Sequence, residues 1–268
     1  MKFPVLRSYA VLYLIFLFAP IALLPIFAFN DSKIIAFPLA GFTTNWFGVM
    51  VDDPNLMSAL KNSLIISTTS AILATCLGLF AARASTRFAF PGKGGMMGLI
   101  MLPMVLPDII IAMSLLLVLL MIGIPLSLFT IILGHVLMCI PFCVAILSSA
   151  FQSLDRSLEE AAYDLGETPA STFRLIILPL VMPGIISSLL ISFTISLDEY
   201  IVASFLGGSE TVLSVYIYGQ FRFPARVPAI MALGTILVTV SIILLTIAEY
   251  FRRRGIAKSG GKDTGGFL

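Results

Sequence analysis

Charge is scarce in this sequence. Only 11% of its 268 residues are Asp, Glu, Lys or Arg, against about a quarter in ordinary soluble domains, and 59% are apolar. A chain so short of charge cannot wet its own outside, which excludes a freely soluble domain. Its net charge of +2 is too small a basic excess to support a nucleic-acid partner. There is a single His, and Cys76, Cys139 and Cys143 lie inside apolar blocks with no spacing that suggests a disulfide scaffold. The sequence also lacks a G-x-x-x-x-G-K-[ST] loop, so it is not expected to bind ATP in the usual way, and no cofactor is expected.

What it does have is long apolar runs. Blocks of about 20 residues, the length a helix needs to cross a hydrocarbon core of ~30 Å, are bounded by charge or turn residues near 8–29, 62–82, 96–121, 128–150, 177–206 and 228–250. In a bilayer each must be helical, because an open strand edge would leave backbone groups without partners. The expected fold is therefore an all-α integral membrane protein with six transmembrane helices, a membrane domain over 1–257 and a disordered Gly- and Lys-rich tail over 258–268. The first run follows Lys2 and Arg7 in the charge order of a signal peptide, but it is too long and has no A-x-A-like cleavage site. It reads as a retained span.

Lys and Arg fix the orientation. With the N-terminus inside, the inner segments hold Lys2, Arg7, Arg83, Arg87, Lys93, Arg156, Arg174, Arg252, Arg253, Arg254, Lys258 and Lys262, and the outer ones only Lys33, Lys61, Arg222 and Arg226. Twelve against four places both termini in the cytoplasm. The outer loop of about 30–61 carries Trp46, Phe47 and an Asp52-Asp53-Pro54 turn signal, and would cap the bundle or meet a partner.

The most informative stretch is 155–174, between the fourth and fifth spans. Ser157 followed by Glu160 reads as a capping box that starts a helix at Leu158, and Gly166 can end it in the left-handed conformation. Thr168 with Pro169 then opens a second short helix. Leu158, Ala161, Ala162 and Leu165 form an apolar stripe that something must cover. One cover is the membrane surface. Small residues and a surplus of acid over base (Glu159, Glu160 and Asp164) fit a groove on a soluble partner better.

Glu160-Ala161-Ala162, three residues, Gly166, nine residues, then Ile176, one residue and Leu178-Pro179 matches the EAA motif at every specified position. The chain thus resembles the permeases of bacterial ATP-binding-cassette (ABC) importers. The resemblance implies that 155–174 is the cytoplasmic coupling helix segment, with Glu159, Glu160, Ala161, Ala162, Asp164, Leu165 and Gly166 contacting the ATPase. It runs over nearly the whole chain and is nearest to spermidine/putrescine permeases, through Phe29-Asn30-Asp31-Ser32, Gly41-Phe42-Thr43-Thr44, Pro107-Asp108, His135, Pro141-Phe142 and the stretch from Ser192 to Glu199. It further implies a second homologous permease in a heterodimer, two ATP-binding subunits, a periplasmic substrate-binding protein, and a place among the lipids of the bacterial inner membrane. Permeases for opines and other small organic solutes share many of these features.

Carboxylates inside apolar runs are costly and mark candidate pathways. Asp108 follows Pro103 and Pro107, which loosen the third span. Asp198 and Glu199 sit side by side in the fifth, and on a helix they would point about 100° apart. Either these acids line the route of a cation, with Tyr200 and Phe205 adding aromatic faces, or they hold neighbouring helices and broken backbone together. Arg222 and Arg226 on the outer side would repel a polyamine at the entrance, or meet an acidic binding protein. His135, Cys139 and Cys143 recur every four residues and share one face, where a metal is conceivable but an interhelical hydrogen bond from His is the ordinary use. Pro141 is expected to kink that helix.

Two other classes have intramembrane acids. A membrane-embedded enzyme needs a converging nucleophile, base or metal cluster, and none is recognisable. An ion-driven carrier would leave the cytoplasmic segment without a use and would work without an ATPase.

Overall fold

The computed structural model describes residues 3–240 and 242–243. Among these the chain is helical, with an isolated antiparallel bridge from Asn30 to Phe42 and no strand. The helices are α1 Phe3–Ala28, α2 Asn45–Val51, α3 Pro54–Arg87, α4 Lys93–Met101, α5 Asp108–Met121, α6 Leu128–Gln152, α7 Ser157–Asp164, α8 Pro169–Thr172, α9 Leu178–Asp198, α10 Ile201–Leu206, α11 Leu213–Gln220 and α12 Pro224–Val240.

Leu6–Ala28, Pro54–Arg87, Leu128–Gln152 and Pro169–Asp198 are long and apolar enough to cross a membrane, and α4 with α5 would make a fifth span. The expected sixth, near 228–250, begins in α12 and lies partly outside the described residues, as do the tail 258–268, Lys2 and the arginines and lysines beyond residue 251.

Two spans depart from the continuous helices expected. The third, expected over 96–121, is broken: its halves meet at 106°, with Pro103 in a 3₁₀ turn and Pro107 extended ahead of Asp108. Each proline withholds a backbone donor and disfavours helix in the residue before it, so two within five residues turn the chain rather than loosen it. The fifth, expected over 177–206, ends at Asp198; Glu199 is extended (φ −67°, ψ 122°) and a new helix starts at Ile201. By contrast α6 runs uninterrupted through Pro141.

Residues Asn55–Tyr218 form one of two compact units. Its core has two centres, one of Ala74, Cys139, Cys143, Leu147, Phe151 and Val181 from α3, α6 and α9, the other of Ile66, Ala112, Ile131, Val202 and Leu206, where α10 packs against α5 and α6. Small residues set the spacing. A Cβ at Gly78 would lie 2.5 Å from that of Cys143, and one at Gly184 would lie 2.8 Å from that of Ala150, so these helices approach as apolar helices do where packing and not water drives association. On α9, Ser188, Ser192 and Ser196 recur every four residues and are buried. Ser192 meets the thiols, its hydroxyl 2.9 Å from Cys143 Sγ and its carbonyl 3.6 Å from Cys139 Sγ.

The other unit comprises Met1–Pro54 and Gly219–Leu268. Its loop between α1 and α2 is tied at Asn30, whose Oδ1 accepts from Ala40 N–H and whose carbonyl accepts from Trp46 Nε1 at 2.8 Å. Phe29 stacks on Phe42 and leans on Phe47, so the polar-looking loop has its own aromatic core.

Candidate functional site

The first region is the projection between α6 and α9. α7 begins at Ser157, and the expected capping box is not made. Instead Ser157 N–H donates to Asp155 Oδ1 at 3.0 Å, because Asp155 sits two residues upstream where a short side chain reaches the free donor. That bond, with one from the Ser157 hydroxyl, holds the exposed Asp155 carboxyl below its ordinary range. At the other end Gly166 takes φ +88°, Glu167 N–H bonds Ala162 C=O and Gly166 N–H bonds Tyr163 C=O. This is the two-bond stop that only a residue tolerant of positive φ completes without strain. Thr168 then caps α8 by accepting from Ser171 N–H, and the Ser171 hydroxyl donates to Glu167.

α8 passes through a π-helical turn, Phe173–Ile177, into α9. Residues Pro169–Asp198 are therefore one helix of 30 residues, about 45 Å at 1.5 Å per residue. Its apolar portion needs only ~30 Å of that length.

The apolar stripe of α7 is divided. Ala162 is 4% exposed, packed inside the chain, whereas Leu158, Ala161 and Leu165 face outward, Leu165 at 86%. The two glutamates are divided as well. Glu160 is exposed, but Glu159 turns toward the end of α3, with Oε1 2.8 Å from Arg87 Nε and Oε2 3.9 Å from Arg83 Nη2. The shorter approach is an ion pair whose angle is not that of a hydrogen bond. Arg83 also lies over the Phe173 ring at 4.4 Å. A cleft of ≈ 420 Å³ opens beside these groups, with Arg156, Tyr163 and Glu160 on its walls.

The second region is the acidic break. Glu199 is only 8% exposed in its side chain, and both its oxygens are taken up by backbone: Oε1 accepts from Ile201 N–H at 3.0 Å and Oε2 from Ala203 N–H at 3.1 Å. Its own carbonyl accepts from Ser214 Oγ at 2.7 Å. His135 Nδ1 lies 2.7 Å from Ser196 Oγ, the interhelical bond expected of a lone His, and its Nε2 points at Glu199 Oε2 from 3.7 Å. Asp198 faces outward, and so does Asp108 at the start of α5. Because the helix stops at Asp198, the 100° divergence expected of two helical neighbours does not apply. The pair diverges because Glu199 folds back as a cap. Tyr200 packs on Tyr218 with ring centres 4.6 Å apart, and Phe205 belongs to the core around α10.

The fold thus sets Asp108 at the start of α5 and Asp198, Glu199 and Tyr200 at the break between α9 and α10, and carries Glu159 to Gly166 on one projection. Sequence reasoning missed the arginine pair that faces Glu159. The signal was present, since Arg83 and Arg87 are four residues apart at a helix end and so share a face.

Residues 74–256 match the family described as "Binding-protein-dependent transport system inner membrane component". Among curated relatives, the putrescine transport system permease protein PotI of Escherichia coli (strain K12) is 40% identical over 247 residues, covering 89% of this chain and 87% of that protein. The spermidine/putrescine transport system permease protein PotC of the same strain is 34% identical, covering 89% and 90%. Among solved structures, a bacterial ABC transporter involved in the import of the acidic polysaccharide alginate superposes with a TM-score of 0.74 at 15% identity, covering 93% of this chain and 96% of that one. At that identity the likeness speaks for the fold alone.

Proposed function

The chain belongs to the family of binding-protein-dependent transport system inner membrane components, and on that premise we propose that it forms half of the path by which an ABC importer takes up polyamines. The relatives named above are transport subunits for putrescine and spermidine, and a transport component rather than an enzyme is what their likeness makes of this chain. In this reading six helices span the inner membrane with both termini in the cytoplasm, and the fully described spans are completed by the one that α12 begins. A second, different permease shares the path, a periplasmic binding protein supplies substrate, and two ATP-binding subunits sit below.

The observation that carries the reading is the single helix Pro169–Asp198. At one end is a projection whose Ala161 and Leu165 are uncovered among the described residues; at the other is the acidic break. We assign the exposed face of α7, with Glu160, to a groove on the ATP-binding subunit, where small residues let the partner approach closely. Closure of that subunit then moves α7 and, through α8 and the π turn, the span above. The bundle alternates between two states biased by this position.

The exposed carboxylates of Asp108 and Asp198 are assigned to the cation route, drawing ammonium groups while staying weak enough to release them. Glu199 shapes that end of the route by capping α10, its charge spread over backbone donors. The test is ATP-dependent uptake of labelled putrescine and spermidine by vesicles holding the full complex. Uptake of either amine that falls about tenfold in Asp198→Asn or Asp108→Asn, with ATP turnover retained, supports the route, the loss corresponding to ~1.4 kcal/mol. Uptake of neither amine by the wild type would reject the substrate and leave the transport class standing.

A further inference from the structure

The coupling residues inferred from the motif include both Glu159 and Glu160, yet the two face different ways. On a helix neighbours diverge by about 100°, and here that angle separates a side chain open to a partner from one turned into its own chain. Five contacts converge on the inward side. Arg87 and Arg83 hold the Glu159 carboxylate. Arg83 also covers the ring of Phe173, the first residue of the π turn. Arg87 Nη2 donates to Leu154 C=O at 3.2 Å, and in the reverse direction Arg156 Nη2 donates to Thr86 C=O at 3.3 Å. The end of α3 is thereby strapped to the chain entering α7, to α7 itself and to the turn leading into α9.

We infer that Glu159 is a positioning residue that clasps α7 to α3, so that one push on the projection moves two helices: α9 through the covalent chain and α3 through the Arg83–Glu159–Arg87 clasp. This rests on the assignment of α7 to the ATP-binding subunit. The geometry suits force transmission better than docking. Arg87 and Glu159 keep only 10% and 14% of their side-chain surface exposed, so the pair is shielded from the solvent that makes surface pairs nearly worthless. Between α8 and α9 the chain passes through a π turn, of a kind frequent at functional sites, and the clasp joins α7 to α3 independently of that turn.

The experiment compares transported polyamine per ATP hydrolysed, together with co-purification of the ATP-binding subunit, in full complexes carrying Glu159→Gln, Arg87→Gln and the charge exchange Glu159→Arg with Arg87→Glu. The clasp predicts assembled complexes, a ratio at least about fivefold lower in each single variant, the scale of an ordinary coupling energy, and recovery toward wild type in the exchange. An unchanged ratio in the single variants would overturn it. So would a lowered ratio that the exchange fails to raise, since charge pairing would then not be the cause. Loss of the ATP-binding subunit from Glu159→Gln would place Glu159 in the docking face and also overturn it. Failure of the docking assignment has a different signature: Leu165→Arg would leave both assembly and the ratio intact.

Discussion

Glu159-Glu160 on α7 and Asp198-Glu199 at the end of α9 are two adjacent acidic pairs, and the fold treats them alike in one respect and differently in another. In each, one carboxylate turns inward and the other stays exposed. The inward partners differ. Glu159 meets two guanidinium groups, Arg83 and Arg87, at the end of a helix; Glu199, inside an apolar run that offers no Lys or Arg, meets the backbone N–H groups of Ile201 and Ala203. A charge beside water can be matched by a long cationic side chain, whereas one within the apolar region must use the donors that a helix break sets free. Neighbouring acids in such a sequence are thus two separate residues, one turned into the fold and the other left exposed.

The sharpest way to break the comparison is to remove the inward carboxylate whose hydrogen bonds all come from backbone. Glu199→Ala takes the cap from α10 and is expected to cost about 2 kcal/mol, read as a lowered thermal unfolding temperature in detergent, while Asp198→Ala costs under ~0.5 kcal/mol. Equal losses would mean that the two acids are not divided as described. Next in size, Leu165→Arg is expected to lower ATP-dependent uptake about tenfold with an unfolding temperature near wild type, because an 86% exposed side chain contributes little to the fold.

A smaller effect separates the exposed members of the pairs. Glu160→Gln is expected to lower uptake two- to threefold for both amines alike, since it weakens coupling by roughly 0.5 kcal/mol, whereas Asp198→Asn should affect putrescine and spermidine unequally. The smallest concerns the start of α7. The Asp155 carboxyl is held below its ordinary range by bonds from Ser157, so its cap is fully engaged above the ordinary carboxylate pKa and is lost as pH falls through the depressed one. Amide exchange over 157–160 should therefore quicken relative to the rest of α7 only on acidification, and Asp155→Asn should remove that pH dependence.

Much of this was legible because local rules acted alone. Gly166 stops α7 and Thr168-Pro169 starts α8 as their residue types dictate, at the place the EAA spacing marks in the sequence. Where two local solutions competed, the sequence did not decide. Asp155 and Ser157 were both eligible to cap α7, and Asp155 won by reaching the free donor from two residues back. The proline pair at 103 and 107 announced a weak place but not a turn of 106°. The break at Glu199 had no Gly or Pro to announce it. Its cause is a side chain folding onto its own backbone, beside a histidine 64 positions earlier that only the tertiary fold brings near.

The division of α7 into an outward and an inward face is tested most directly by a photo-cross-linking side chain placed at Leu165 in one full complex and at Glu159 in another. The account predicts that the probe at Leu165 couples to the ATP-binding subunit, with a yield that changes when nucleotide is added, and that the probe at Glu159 couples within its own chain. Cross-linking of the probe at Leu165 to lipid alone, with none to the ATP-binding subunit in any nucleotide state, would contradict it.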